Sequence, residues 1–460
     1  MRAVHADTTG EWDPAESIPW LSIILLAVFI FLADHNLQAP IEFRSATDTT
    51  MAAIALIREG STKRQITYTC LGLFGAIAFL FRPRWRLSIR GLFPWVVLVF
   101  LGLAFLSVAW SDDRGLTIRR LGVLAFICVG VCGVLRHFSR LQIVMLITFA
   151  NVAYLIVGFG NELFLGTFTP FAARYRFAGT VHPVVQSIDC AILLLGALCL
   201  VDRMREHRRL LFGCLAFGAL FLFFTRSRTG TAAALVAAFV YWYLTADRYR
   251  LRAMTTVLLL GAALLIALML ILNQVIPMPW DVVLMGRGTT NAASLTGRIP
   301  LWDLLFSSAM QRPMLGYGFD SFMSPRHAAQ VAAILAFGLN SAHSVYLDVL
   351  LGVGFIGLAL FLAVMGLSIV RAVRSYRIVR DPVLAFFAAL IVFELFSGTL
   401  DSTLIFPNPR FWTLLVIGYL AFRDPLEESH EYRIEPTQGA RGDPMTEWMP
   451  AEQGAYPALR

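Results

Sequence analysis

Apolar residues run in long unbroken blocks separated by short polar stretches. Twelve blocks reach or approach the length needed to cross a bilayer: 18–34, 66–82, 92–110, 119–136, 140–160, 184–202, 208–225, 229–246, 252–275, 344–370, 382–400 and 409–423. A helix rises about 1.5 Å per residue, so a hydrocarbon core of about 30 Å takes roughly 20 residues. The blocks are continuous, whereas strands of a membrane β-barrel would alternate apolar and polar positions. The pattern predicts an all-α polytopic membrane protein with about 12 transmembrane helices.

The polar connections sort by charge. Arginines follow every even-numbered block: Arg82, Arg84, Arg86 and Arg90; Arg136 and Arg140; Arg203, Arg205, Arg208 and Arg209; Arg248, Arg250 and Arg252; Arg371, Arg374, Arg377 and Arg380. Cytoplasmic loops carry such excess positive charge, which predicts that both termini are cytoplasmic and that odd-numbered connections face outward. The expected organisation is a cytoplasmic tail over 1–17, helices one to nine over 18–275, one long extracytoplasmic loop over 276–343, helices ten to twelve over 344–423, and a disordered cytoplasmic tail over 424–460, rich in Glu, Pro and Gly. Within the loop, Pro300 followed by Leu301-Trp302-Asp303-Leu304-Leu305-Phe306 predicts a short interfacial helix.

Composition agrees with this class: 58% of residues are hydrophobic and 15% charged, too few charges to cover a water-soluble globule. The net charge of +8 is carried by arginine, with Lys63 the only lysine, and its clustering between blocks marks orientation, not nucleic-acid binding. The cysteines (Cys70, Cys128, Cys132, Cys190, Cys199, Cys214) lie within predicted spans without paired-ligand spacing, so neither a disulfide framework nor a metal site is expected.

Arginines on the outward side run against the charge rule and need a reason. Arg226 and Arg228 stand in Thr225-Arg226-Ser227-Arg228-Thr229-Gly230, and Arg298 follows Thr296-Gly297. Two readings stand: snorkelling to lipid headgroups, or a phosphate site in which guanidinium forks pair with oxygens bidentately. His343 opens the tenth block in Asn340-Ser341-Ala342-His343-Ser344 and is either a cap or a proton acceptor. Asp348 lies where it can share the face of His343 and orient it. Asp189 and Glu394 fall inside predicted spans, where acids are usually functional. Asp401 and Arg410 occupy the last outward loop, and Tyr317 sits between two glycines.

Thr296-Gly297-Arg298, Trp302 and Pro313-Met314-Leu315-Gly316-Tyr317-Gly318-Phe319 together resemble the long-loop signature of the O-antigen ligase and polysaccharide polymerase superfamily. His343-Ser344, followed after nine residues by Gly354-Phe355-Ile356-Gly357, is similar to that family's His-(Asn/Ser/Gln)-x9-Gly-x-x-Gly block, and Ser227-Arg228-Thr229 to its Ser-Arg-Thr element. Trp110-Ser111-Asp112 and Arg176-Phe177-Ala178-Gly179-Thr180-Val181-His182-Pro183 resemble upstream blocks. The resemblance spans about residues 108–420. Val184 stands where the family often has Asn, which leaves a role for His182 open, and Tyr346-Leu347-Asp348 looks more like the exopolysaccharide polymerases.

What the resemblance implies is a GT-C-like glycosyltransferase, free of cofactor and metal, that moves a glycan from undecaprenyl diphosphate to a sugar hydroxyl by inverting displacement. The acceptor is a lipid-linked repeat unit for a polymerase or lipid A core for a ligase. His343 is then the base and Arg228, Arg298 and Arg226 the diphosphate ligands, while Ser344, Asp348, Tyr317 and Trp302 serve the acceptor or orient the site. The setting implied is a bacterial inner membrane with a periplasmic active site, membrane lipids, and a flippase and chain-length regulator as partners. Twelve spans also suit a lipid-linked oligosaccharide transporter, but no two-half symmetry is evident.

Overall fold

In the computed structural model of the protein, the described residues are 20–41, 62–81, 83–172, 175–247, 298–335, 341–402, 407–425, 427 and 428. The predicted tail 1–17, the ninth block 252–275, the start of the long loop (276–297) and the segment 429–460 lie outside them. Thirteen α-helices follow in order among the described residues: α1 Trp20–Asp34, α2 Thr62–Leu80, α3 Leu92–Leu106, α4 Arg114–His137, α5 Arg140–Phe164, α6 Pro183–Arg203, α7 Arg208–Thr225, α8 Arg228–Thr245, α9 Arg298–Ala309, α10 Pro325–Leu335, α11 Val345–Val379, α12 Pro382–Ser397 and α13 Pro407–Phe422. Every apolar block within the described residues is helical. Six helical segments are long and apolar enough to cross a membrane, and three further apolar helices are shorter.

The helix starts follow local sequence. Asp113 caps α4 by accepting from the Leu116 N–H, Ser139 and Gln142 form a reciprocal capping box on α5, and Asp381 precedes Pro382 at the head of α12. α12 is apolar around its whole circumference, and Val383 to Ile391 are fully buried. Such a helix belongs at the centre of a bundle, and α5, α6, α8, α11 and α13 all pack on it. Where α2 crosses α4, a Cβ on Gly75 would lie 2.3 Å from the Val129 carbonyl oxygen, so bare backbone is what lets the two helices touch. The outer faces stay apolar, with Leu80, Trp95, Phe164, Phe223 and Leu235 all exposed. A chain apolar both inside and outside is built for lipid rather than water.

One end of the bundle is closed by buried ion pairs. Arg140 meets Asp381 at 2.6 Å and Arg423 meets Glu428 at 2.8 Å; Glu428 also accepts from the Arg140 N–H and the Tyr419 hydroxyl, both at 2.8 Å. Glu428 is wholly buried. The C-terminal tail expected to be disordered from 424 therefore begins with a docked turn, because the buried Arg423 guanidinium, the Arg140 backbone N–H and the Tyr419 hydroxyl all use its carboxylate.

α9 extends the predicted interfacial helix by a turn. Its Leu301, Leu305 and Ala309 form a buried stripe against α11 and the segment after it, while Ile299 and Phe306 remain exposed. α10, which the sequence pattern did not single out, follows in the same loop.

Candidate active site

The Gly-x-x-Gly block and the long-loop block form one structure. α11 breaks at Gly354 (φ 69°, ψ −170°), a conformation essentially reserved for glycine. The break frees backbone groups, and residues 313–318 take them up. Tyr317 and Gly318 donate their N–H groups to the carbonyls of Leu351 (2.8 Å) and Gly352 (2.9 Å), and Phe355 donates to Pro313 at 2.7 Å. The Trp110-Ser111-Asp112 block joins from the other side: Trp110 donates Nε1–H to the Leu315 carbonyl at 2.9 Å, and Asp112 pairs with Arg312 at 2.6 Å. Tyr317 is buried in this junction and donates its hydroxyl to the Ser308 carbonyl at 2.8 Å. It is therefore a packing residue of the loop, not a group presented to an acceptor.

This junction fixes the turn carrying His343. Trp302 donates Nε1–H to the Ala342 carbonyl at 3.0 Å, Asp348 accepts the Ala342 N–H at 3.0 Å, and Val345 donates to the Gly398 carbonyl at 2.9 Å. Asp348 also accepts from the Ser402 hydroxyl. Asp348 thus orients the backbone before the histidine, not the imidazole as i,i+5 spacing suggests, because its carboxylate turns back to an unpaired N–H ahead of the helix. Ser344, the buried N-cap residue, accepts the Asp348 N–H through its carbonyl at 3.0 Å. His343 is held at φ 51°, a left-handed conformation that costs a non-glycine residue about 1–3 kcal/mol. Its ring makes no hydrogen bond among the described residues. Burial, and then the charge of Arg298, lower its pKa to about 4, so at neutral pH the imidazole is a free base.

Arg298, the first residue of α9, is anchored by Asp401 at 2.8 Å and donates through its other terminal nitrogen to the Leu400 carbonyl. Two of its five N–H groups are used in this way. Partly buried and ion-paired, it does not snorkel.

A second arm of the site comes from α5–α8. Glu162, fully buried, accepts from the Tyr175 hydroxyl (2.6 Å) and from the N–H groups of Ala178 (2.8 Å) and Gly179 (2.9 Å), folding residues 175–180 around one carboxylate. That fold presents Arg176, whose Nε donates to the Thr225 carbonyl at 2.9 Å, and leads into His182, the cap of α6. His182 is open to solvent on one side. Even so, crowding protein and the nearby charges of Arg176, His343 and Arg298 lower its pKa to about 4. Gly230 of α8 sits against Ser187 of α6, where a Cβ would meet the Ser187 hydroxyl at 2.2 Å. This puts the head of α8 beside His182. Arg228, half-buried there, has no hydrogen-bond or ion-pair partner among the described residues. Arg226, in a left-handed turn at φ 48°, reaches the Ala172 carbonyl at 3.4 Å instead.

Arg298, His343, His182 and Arg176 therefore lie within electrostatic reach of one another, with Arg228 at the neighbouring helix head, and each stands at or just before the start of one of helices α6, α8, α9 and α11 or in the segment leading to it. Arginines and helix N-termini both favour an anion. Of the residues named from sequence, Tyr317 packs in the loop junction, while Trp302, Ser344 and Asp348 support the turn of His343. Arg410 pairs with Asp320 at 3.3 Å rather than with the cluster. Asp189 and Glu394 are buried within α6 and α12. Glu162 and Asp401 are the members that sequence reasoning missed or left marginal. A lone acid closing an apolar block was the available signal for Glu162. No group of three His, Cys, Asp or Glu side chains among the described residues has the arrangement of a metal site.

A membrane protein, all-helical among the described residues, with an anion-favouring, histidine-bearing cluster at the heads of several helices is the class this architecture defines. Residues 213–362 match the family model described as O-antigen ligase. The matched stretch is about a third of the chain and contains Arg228, Arg298, Trp302, His343 and the Gly354 break, so the resemblance read from the motifs holds where the loop and its helix meet. No curated protein matches the chain.

Proposed function

We propose that the protein is a twelve-span GT-C-type glycosyltransferase of the bacterial inner membrane, with both termini in the cytoplasm and its recess facing the periplasm. It transfers a glycan from undecaprenyl diphosphate to a sugar hydroxyl and acts as a polymerase in surface polysaccharide synthesis. The acceptor oxygen attacks the anomeric carbon, the bond from that carbon to the phosphate oxygen breaks, and the diphosphate leaves with the electron pair. Arg298 and Arg228, with Arg226 at the rim, stabilise the developing charge, so no metal is required. His343 takes the proton from the attacking hydroxyl, a contribution of about 10²–10⁴-fold. Asp401 keeps the Arg298 fork in place, and Arg176 and His182 extend the recess toward the donor.

The observation that carries this reading is the uncharged, unpartnered imidazole of His343 next to an anchored arginine inside the family-matched stretch. A second reading, ligation of the glycan to lipid A core, is favoured by the description of the family model. A deletion strain complemented with the wild type or with His343→Ala tests both. His343→Ala is expected to accumulate in the membrane yet make no polymer; normal polymer would remove the base. Single repeat units stranded on the carrier indicate a polymerase, and long stranded chains a ligase.

A further inference from the structure

The turn that leads into His182 is clamped by α1, a helix outside the family-matched stretch. Residues 178–181 close on themselves through the Val181 N–H and the Ala178 carbonyl at 3.0 Å. Glu162 accepts the Ala178 and Gly179 N–H groups from one side. From the other side, the Asn36 N–H donates to the Thr180 carbonyl at 2.7 Å, and the Thr180 hydroxyl meets His35 Nδ1 at 2.6 Å. Asn161 Nδ2 ties the two segments together, donating to the carbonyls of Leu37 and Gly179, both at 2.9 Å.

The end of α1 is a fixed wall. Lys63 Nζ donates to the His35 carbonyl at 2.8 Å and Arg64 Nε to the Ala33 carbonyl at 3.2 Å, which satisfies carbonyls that a helix end leaves open. The His35 ring stacks on Phe31 with centroids 4.4 Å apart and leans on Tyr154 at 4.6 Å. Tyr154 in turn donates its hydroxyl to the Ala27 carbonyl at 2.7 Å. Two ordinary uses of a buried histidine do not apply here. Burial, and then the charge of Lys63, lower the pKa of His35 to about 3, so near neutral pH it neither stores nor relays a proton. Its Nε2 is buried with no hydrogen-bond partner among the described residues. A buried nitrogen left unpaired costs at least as much as one neutral bond returns, so the ring adds no net stability. What it supplies is direction, a bond to Thr180 from a ring that two others pin.

We propose that His35 is a positioning residue for the glycan donor: through Thr180 it sets the turn flanked by Arg176 and His182 where these two meet the donor's diphosphate. The end of α1 is thereby part of the donor site. The inference rests on the reading of Arg176 and His182 as the donor side of the recess.

The test uses purified full-length protein and radiolabelled undecaprenyl diphosphate. His35→Phe combined with Thr180→Val removes both ends of the bond and keeps the shape, so the double variant should melt no lower than wild type. It should bind the probe at least about fivefold more weakly, the factor that one hydrogen bond of ordinary strength represents. In transfer assays the KM for donor should rise by the same factor, while kcat and the KM for acceptor stay unchanged. In a His182→Ala background the double substitution should add less than about twofold. A double variant that melts lower, binds like wild type, or multiplies in full with His182→Ala overturns the proposal. If the double variant does not accumulate, Thr180→Val against Thr180→Ser decides. Valine should weaken binding at least about fivefold, and serine, which keeps the hydroxyl, should not; equal binding by the two counts against the inference. Probe binding that His182→Ala leaves intact would remove the donor-side role of His182 and this inference with it. The expected binding pattern in a chain that transfers nothing defeats the polymerase reading alone.

Discussion

Gly354→Ala should dismantle the junction that supports the site. An L-residue in the Gly354 conformation costs about 1–3 kcal/mol. A Cβ there would also lie 2.2 Å from the Met314 carbonyl oxygen and 2.5 Å from the Leu315 nitrogen, both backbone atoms that no side-chain rotation can move. Relief requires residues 313–318 to withdraw, which breaks the hydrogen bonds from Phe355 to Pro313 and from Ile356 to Met314. At about 1 kcal/mol net for each bond, the combined destabilisation is about 3–5 kcal/mol. Gly366 is the internal control: it lies further along the same helix, and a Cβ there meets nothing within 4 Å. Gly366→Ala should be neutral or stabilising by no more than about 1 kcal/mol. Thermal unfolding of detergent-extracted protein, paired with transfer assays on the same preparations, separates the two. If Gly354→Ala melts and turns over like Gly366→Ala, the docked loop does not hold the site.

Arg298→Lys should lose most activity, about 10²-fold or more, because an ammonium cannot contact Asp401, the Leu400 carbonyl and a diphosphate with a planar fork; near-normal turnover of the purified variant would contradict the anchored-fork geometry. The pKa values of His343 and His182, both lowered to about 4, predict that kcat/KM stays flat from pH 7 to about 5 and falls only as pH approaches 4. The same shifts fix the sign for stability: between pH 6.5 and 4 the unfolded chain takes up protons that the folded chain refuses, so stability declines as pH falls through that window. A break near 6.5 in the rate profile would mean that a less perturbed group controls the rate. Removing residues 429–460 should leave activity largely intact, whereas Glu428→Ala should cost about 3–5 kcal/mol by stranding the buried Arg423 guanidinium, readable as a lowered melting temperature.

Among the described residues, apolar block length located the long apolar helices, though not α10, because a helix in lipid satisfies its backbone internally whatever its neighbours do. His343 and Arg298 stood out for a similar reason: the predicted topology puts both on the outward side, where a base and an arginine are conspicuous. Asp348 shows where this kind of reading stops. Its spacing pointed to the imidazole, yet the carboxylate serves the backbone, a choice made by the Ala342 N–H and Ser402 more than 50 residues on. Glu162 was opaque because its partners are mostly main-chain N–H groups, which leave no trace in side-chain pattern. The match between residues 313–318 and the Gly354 break was visible only as two separate motifs, since sequence order conceals that one segment fills the gap left by the other.

The buried pairing of Arg140 with Asp381 has a consequence for biogenesis. Arg140 enters the growing chain early, whereas Asp381, which neutralises its guanidinium, and Glu428, which accepts its backbone N–H, are both made near the end. Until then that guanidinium has no seat inside the bundle and must stay in the aqueous or headgroup layer. Sealing of this end is thereby deferred until the chain is almost complete, and a prematurely terminated product would carry an exposed, unneutralised seam for quality control to recognise.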